Sequence, residues 1–236
     1  MITIILMEPE NPGNTGAILR IMKNFDFNSI ILINPKFDIN KNLEEIKKRA
    51  KWGKDLIKKI KKTEYDIKKL KKQFDYIIAT TAKTGSDYNI SRTPITPEEF
   101  SEKISKISKK TKIGILIGRE GIGLKNEEIR MCDFTITIPA SKKYGTLNVS
   151  HATAIILYEL FKKQKITSVS HIKPISNKEK EQIEKMINEI LNEMYFSTEE
   201  KRETQKILWK KIIGKSMLSK REAYALMGFL KKIIKK

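Results

Sequence analysis

Ile2-Thr3-Ile4-Ile5-Leu6-Met7 runs directly into Glu8-Pro9-Glu10-Asn11-Pro12-Gly13-Asn14-Thr15-Gly16-Ala17-Ile18-Leu19-Arg20. A short, Ile-rich run closed by a Pro/Gly/Asn segment reads as a buried strand ending in a loop. Ile18, Ile21, Met22 and Phe25 then recur at helical spacing, and Asn14 is a candidate cap for that helix. A strand feeding a helix through a ligand-sized loop is the unit from which α/β domains are built.

The unit repeats. Ile-rich runs at 29–33, 75–80, 112–117 and 134–138 read as further strands of a mostly parallel sheet. Helical patterns occupy 15–27, 44–62, 97–108, 125–131 and 148–163. Thr96-Pro97-Glu98-Glu99 combines a capping Thr, a Pro at the first helical position and a Glu at the third. The expected α/β domain spans 1–164. A polar linker follows at 165–176, and 177–236 form an all-helical extension with no strand. Its first helix lines up Ile183, Met186, Ile187, Ile190, Leu191 and Met194, and its last Ala223, Leu226, Met227, Leu230 and Ile234. Ser197-Thr198-Glu199-Glu200 and Ser219-Lys220-Arg221-Glu222 both read as capping boxes. About sixty residues bury little core alone, so the extension is expected to pack on the α/β domain or on a second copy of the chain.

The 236 residues carry 48 Lys and Arg against 28 Asp and Glu, a net charge of +20. Such an excess suits an anionic partner, above all nucleic acid. The charge is clustered in 41–72 and 206–236, whereas 177–205 is net acidic. Aromatics such as Trp52, Trp209 and Phe229 are sparse in the basic stretches, which favours phosphate contacts over base stacking. Cys132 is the lone cysteine and only two histidines occur, so neither a disulfide framework nor a usual zinc pattern is expected. The apolar residues 2–7 are too short for a signal peptide core, and no run reaches a membrane span of about 18 residues. A cytoplasmic protein without membrane or metal is the expectation.

Three segments, each just past a strand's carboxyl end, are candidates for chemistry. The first carries Asn14 and, off the buried stripe, Arg20, whose guanidinium could lie back over Gly16 and Ala17 toward the strand end. The second is Gly118-Arg119-Glu120-Gly121-Ile122-Gly123-Leu124. Its glycine order and the Asn34-Pro35 after the second strand do not fit a dinucleotide fold. The third is Ile138-Pro139-Ala140-Ser141-Lys142-Lys143-Tyr144-Gly145-Thr146-Leu147-Asn148, where Asn148 could cap the next helix.

In combination and order these three motifs resemble those of the SpoU-type branch of the SPOUT RNA methyltransferases. The TrmJ-like tRNA 2′-O-ribose methyltransferases look closest, through Gly-Asn-x-Gly before the arginine, Asn126-Glu127-Glu128 after the second motif, and a helical carboxyl-terminal extension. The resemblance implies a C-terminal deep trefoil knot in the α/β domain, a homodimer, tRNA as substrate and S-adenosyl-L-methionine as cofactor. It places the cofactor against Thr80, Thr81, Ala82, Gly118, Ile138, Gly145, Thr146 and Leu147. The catalytic set falls on Arg20, Asn14, Glu120, Thr146 and Asn148, with no metal. Glu120 is expected to orient Asn14 or Arg20. Two positions depart from the family pattern: Thr146 replaces the usual Ser, and Lys83 replaces an Arg of bacterial relatives, with Arg92 a candidate to compensate. His151 is expected to be a packing residue, and Cys132 a small buried one. The implied activity is 2′-O-ribose methylation at nucleotide 32 of the anticodon loop. Methylation of another tRNA position or of rRNA, and a noncatalytic RNA-binding protein of the same fold, stay open.

Overall fold

The computed structural model describes residues 1–82, 94–164 and 175–235. Lys83, Arg92 and most of the expected linker lie outside the described residues. One six-stranded sheet is built from β1 (Ile2–Met7), β2 (Ile30–Ile33), β3 (Ile60–Thr63), β4 (Tyr76–Thr80), β5 (Ile113–Ile117) and β6 (Phe134–Ile136), in the order β3-β2-β1-β5-β4-β6. Every pairing is parallel, with Ile4 opposite Ile30 on one side of β1 and Ile115 on the other.

Continuous apolar strands follow from two covered faces. Ile4, Leu6, Leu32, Ile78 and Ile115 face one core, and Ile5, Met7, Ile33, Ile77 and Leu116 the other. The first face is covered by α1 (Pro12–Asn24), α2 (Leu43–Ala50), α4 (Pro97–Ser105) and α6 (Val149–Gln164), through Leu19, Ile46, Phe100 and Leu157. The second is covered by α3 (Ile67–Gln73) and α5 (Asn126–Met131), through Leu70 and Ile129.

Three local expectations are corrected. The helix expected over 44–62 breaks at Lys51, whose φ of 51° stops α2; a 3-10 stretch (Lys51–Lys59) and β3 follow. The strand was hidden because it is an edge whose Lys61 and Lys62 face solvent. The last strand ends at Ile136, two residues short of the reading, because residues 94–96 take over its outer edge: Ile95 N donates to Thr135 O and Thr137 N to Ile95 O. Finally, Asn11 caps α1, its Oδ1 accepting from Gly13 N and Asn14 N, because Pro12 already occupies the first helical position. Asn14 therefore lies inside the helix.

The extension comprises α7 (Asn177–Glu193), α8 (Glu199–Ser216) and α9 (Lys220–Ile234) around their own small core of Ile183, Ile187, Leu191, Ile213, Met227 and Leu230. Met194 stands outside it, half exposed at the end of α7. Ser219 and Glu222 form the expected capping box, but α8 is capped by Thr198, which places Lys201 rather than an acid at the third position. The extension docks on the α/β domain through polar contacts. Buried Lys180 donates to Asp133 Oδ1 at 2.9 Å and to Asp75 O, and lies 3.9 Å from the Tyr76 ring centre. Buried Lys211 donates to Ile129 O and Cys132 O, and Gly214 packs so closely that a methyl there would lie 2.4 Å from Asp133 O. Cys132 is fully buried, its thiol donating to Glu128 O.

Desolvation pushes the Lys211 ammonium down to about 8, against attraction from the Cys132 and Asp133 side. Above that value the unfolded chain holds a proton that the folded chain has lost, so stability rises with pH. Burial pushes the Cys132 thiol up to about 12, and its opposing effect begins once unfolded thiols ionise, near pH 9. Urea-unfolding midpoints should therefore climb between about pH 8 and 9. In Lys211→Met that climb should flatten; an unchanged slope would exclude Lys211 as its source.

Candidate active site

In this strand order the chain leaves β1 toward β2 and later returns on the other side to β5, so the loops after β1 and β5 diverge and leave a crevice at the sheet's carboxyl edge. At the same edge, over the ends of β5, β4 and β6, a cavity of about 310 Å³ opens. Thr80, Thr81 and Ala82 after β4, Gly118 after β5, and Ile138, Gly145, Thr146 and Leu147 beyond β6 all line it. Every cofactor residue expected from the sequence thus meets in one space, with Ile117, Ile122 and Ile136 as apolar wall. Thr80 Oγ1 is committed to Leu116 O at 3.1 Å, and Thr81 N to Ile136 O.

The glycine segment is a closed loop. Arg119 and Gly123 exchange both backbone hydrogen bonds, at 3.2 and 3.1 Å. Gly123 has φ of +69°, and a methyl on Gly118 would sit 2.4 Å from the Gly123 carbonyl carbon. Beneath it lies an ion cluster that no sequence spacing announced. Arg119, 6% exposed, grips Glu128 bidentately at 2.8 and 3.0 Å, donates from Nε to Glu8 at 3.0 Å and from Nη1 to Gly123 O. The guanidinium hydrogen bond holds the Glu8 carboxyl below the usual range. The partners come from the ends of β1 and β5 and the start of α5, so the cluster ties two strand ends to a helix start.

Glu120 reaches the opening loop, but through backbone: its carboxylate accepts from Glu10 N at 3.2 Å and Asn11 N at 3.3 Å, rather than orienting the Asn14 or Arg20 side chain. The first and third motifs meet directly. Asn148 Nδ2 donates to Asn14 Oδ1 at 3.2 Å, while Asn148 Oδ1 accepts from Ser150 N and so caps α6. This pair lines a second, polar recess of about 330 Å³ next to the cavity, together with Glu45, Arg49 and His151. His151 is exposed here and is not a packing residue, because Ser150, Thr153, Ile156, Leu157 and Leu160 take the inner face of α6.

Arg20 is exposed on α1 and lines neither space. The path expected for it over Gly16 is taken by α2: a methyl at Gly16 would lie 2.5 Å from Ile46 O and 2.9 Å from Arg49 Cβ. Within one chain the arginine beside Asn14 is Arg49. A third cavity, of about 350 Å³ at the strands' amino edge near Met1, Phe27 and Leu160, contains no motif residue. Among the described residues no group of His, Cys, Asp or Glu could hold a metal ion, and no helix is long and apolar enough to cross a membrane.

Three strand-end loops converging on a glycine-closed crevice define a nucleotide-sized site on a parallel sheet. The SpoU rRNA Methylase family model matches residues 1–158, and the chain belongs to that family of RNA methyltransferases. Over 234 residues, 98% of this chain and 99% of the relative, it is 36% identical to the tRNA (cytidine-2′-O-)-methyltransferase TrmJ of Methanocaldococcus jannaschii. The crystal structure of TrmJ from Z. mobilis ZM4 superposes with a TM-score of 0.67 at 21% identity, covering 99% of both chains. An AdoMet-bound rRNA methyltransferase from Sinorhizobium meliloti gives 0.51 at 24% identity over 69% of this chain and 56% of that one.

Proposed function

We propose that this protein transfers a methyl group from S-adenosyl-L-methionine to a ribose 2′-hydroxyl of tRNA, at nucleotide 32 of the anticodon loop, as a cytoplasmic homodimer whose 138–148 segment closes a trefoil knot. The single observation that carries the reading is the convergence of all eight expected cofactor residues on one cavity; beside it the recess holds the Asn14–Asn148 bond, and Leu147 and Val149, on either side of Asn148, line the cavity. The full-length likeness to a tRNA (cytidine-2′-O-)-methyltransferase supports the substrate, and the AdoMet-bound structural neighbour supports the cofactor. Backbone groups of three loops and an Ile wall suit an adenosine and a methionyl chain.

The cofactor supplies an activated sulfonium methyl. The chain's part is to place the 2′-hydroxyl in line with it and to stabilise charge as the O–H proton leaves. Asn14 and Asn148 hold the ribose side, and Thr146 lines the cavity two residues before Asn148. Arginine does not release its proton readily, so Arg20 holds the adjacent phosphate and stabilises the developing alkoxide, the proton passing to phosphate or water. Arg20 reaches the site from a second copy. Ile155 and Tyr158 are exposed on α6, with the Tyr158 ring 6.0 Å from that of partly buried Phe25, and a second copy covers this apolar surface.

The test is incubation with unmodified tRNA transcripts and methyl-labelled cofactor, followed by nuclease mapping. Label should appear as a 2′-O-methyl at nucleotide 32. Arg20→Ala should lower kcat by about 10²-fold or more, with cofactor affinity by calorimetry unchanged. Absence of label from every RNA refutes the activity, and near-full turnover by Arg20→Ala refutes its role.

A further inference from the structure

Trp52 is 92% exposed, an indole standing in water at the start of the 3-10 stretch. Nothing in the chain's own core explains it, yet its placement is built with care. Lys51, just before it, sits at φ 51° and ψ −118°, a conformation that costs a non-glycine residue free energy and clusters at functional sites. Just after it, Gly53 lies flat on α1: a methyl there would be 2.7 Å from Leu19 O and 3.1 Å from Arg20 N. One turn on, Asp55 binds Lys23 of α1 at 2.7 Å. The backbone just after Trp52 is thereby pinned to the helix that carries Arg20.

The surroundings are cationic. Residues 47–62 hold nine Lys and Arg, with Asp55 the one acid and already paired. Arg49, on the preceding turn, lines the recess of Asn14 and Asn148. An exposed aromatic face inside a field of lysines suits single-stranded nucleic acid, whose phosphates meet the charges while a base stacks on the ring. Asn14 and Arg20 lie six residues, about 9 Å of rise, apart on α1, and Gly53 abuts the Arg20 backbone, so the Trp52 segment lies within about two helical turns of the recess.

We propose that Trp52 is a stacking platform for a nucleobase of the substrate RNA, flanking the nucleotide whose ribose enters the recess, with Lys51 and Gly53 as the residues that present it. The inference rests on the reading of the chain as a tRNA-modifying enzyme and names how that substrate is gripped. It departs from the expectation that the basic stretches contact phosphate alone.

Two measurements test it. In a Trp209→Phe background Trp52 is the remaining indole, and titration with unmodified tRNA transcript should quench its fluorescence. In otherwise native protein, Trp52→Ala should weaken tRNA binding and raise the KM for tRNA about tenfold, with kcat and cofactor Kd little changed. Trp52→Tyr should restore most of the loss. Quenching and weakened binding without methyl transfer would uphold the platform while refuting the enzymatic reading. Transfer by wild type with Trp52→Ala indistinguishable from it, or absence of any tRNA binding, overturns the platform. So does a Trp52→Ala protein whose mass by light scattering is halved, since the indole would then serve a protein interface.

Discussion

Arg119→Ala should unfold about 10 °C below wild type in a calorimetric scan, the largest stability loss of any single substitution considered for this chain. Truncating one member of a buried ionic cluster costs about 3–5 kcal/mol, because the remaining charges stay desolvated without a partner. For a chain of this size each kcal/mol lowers the midpoint by about 2–4 °C. Two carboxylates lose a contact by this change, although Glu8 keeps Lys36 at 3.5 Å. Glu128, 4% exposed, loses a bidentate partner, and Glu8, part-exposed, loses its Nε contact. Glu128→Gln should cost less, since an amide oxygen still accepts from the guanidinium while one contact turns repulsive. A midpoint within about 2 °C of wild type for Arg119→Ala would mean that water replaces the guanidinium and that the cluster does not hold the loop.

Gly118→Ala is expected to have the largest effect on chemistry. The added methyl meets the carbonyl carbon of Gly123 at 2.4 Å and the nitrogen of Leu124 at 2.5 Å, both backbone. No rotamer relieves such a contact, so the loop must open by roughly an ångström. Displacement on that scale costs about 10²-fold in turnover when the moved atoms position a reactant. Calorimetry with S-adenosyl-L-methionine should show a matching loss of affinity, because the 118–124 loop is one wall of the cavity. Gly228→Ala is the control. It lies on the exposed side of α9 with nothing within 4 Å, where alanine favours the helix by up to about 1 kcal/mol. Unaltered affinity in Gly118→Ala would show that the cofactor does not touch this loop.

Which parts of this molecule can be read from the chain follows from the range of the interactions involved. Five of the six strands are legible because burial on both faces makes them uninterrupted Ile-rich runs, and Thr96 and Ser219 because caps act over three residues. β3 is not, since half of it is lysine and its identity is set by hydrogen bonds to β2 alone. The same limit applies in the site. Residues at strand ends are brought together by the topology of the sheet, so the eight residues singled out there line one cavity. Side-chain partners are another matter. The union of Arg119 with Glu8 spans 111 positions, and the seating of Arg49 rather than Arg20 beside Asn14 depends on how α2 crosses α1. His151 shows the reverse error: its helix is legible, but which side of that helix meets solvent is decided by α1 and α4, which pack against it.

The two buried lysines of the extension have a consequence for how such a protein can change over time. Lys180 and Lys211 anchor to carbonyls and to Asp133 around the starts of β4 and β6, whereas the crevice draws on the ends of the same strands. Attachment and reaction are thus assigned to opposite poles of one rigid slab. An appendage fixed at the far pole can be lengthened, trimmed or exchanged, and recognition of new RNA shapes acquired, while the atoms that line the crevice keep their positions.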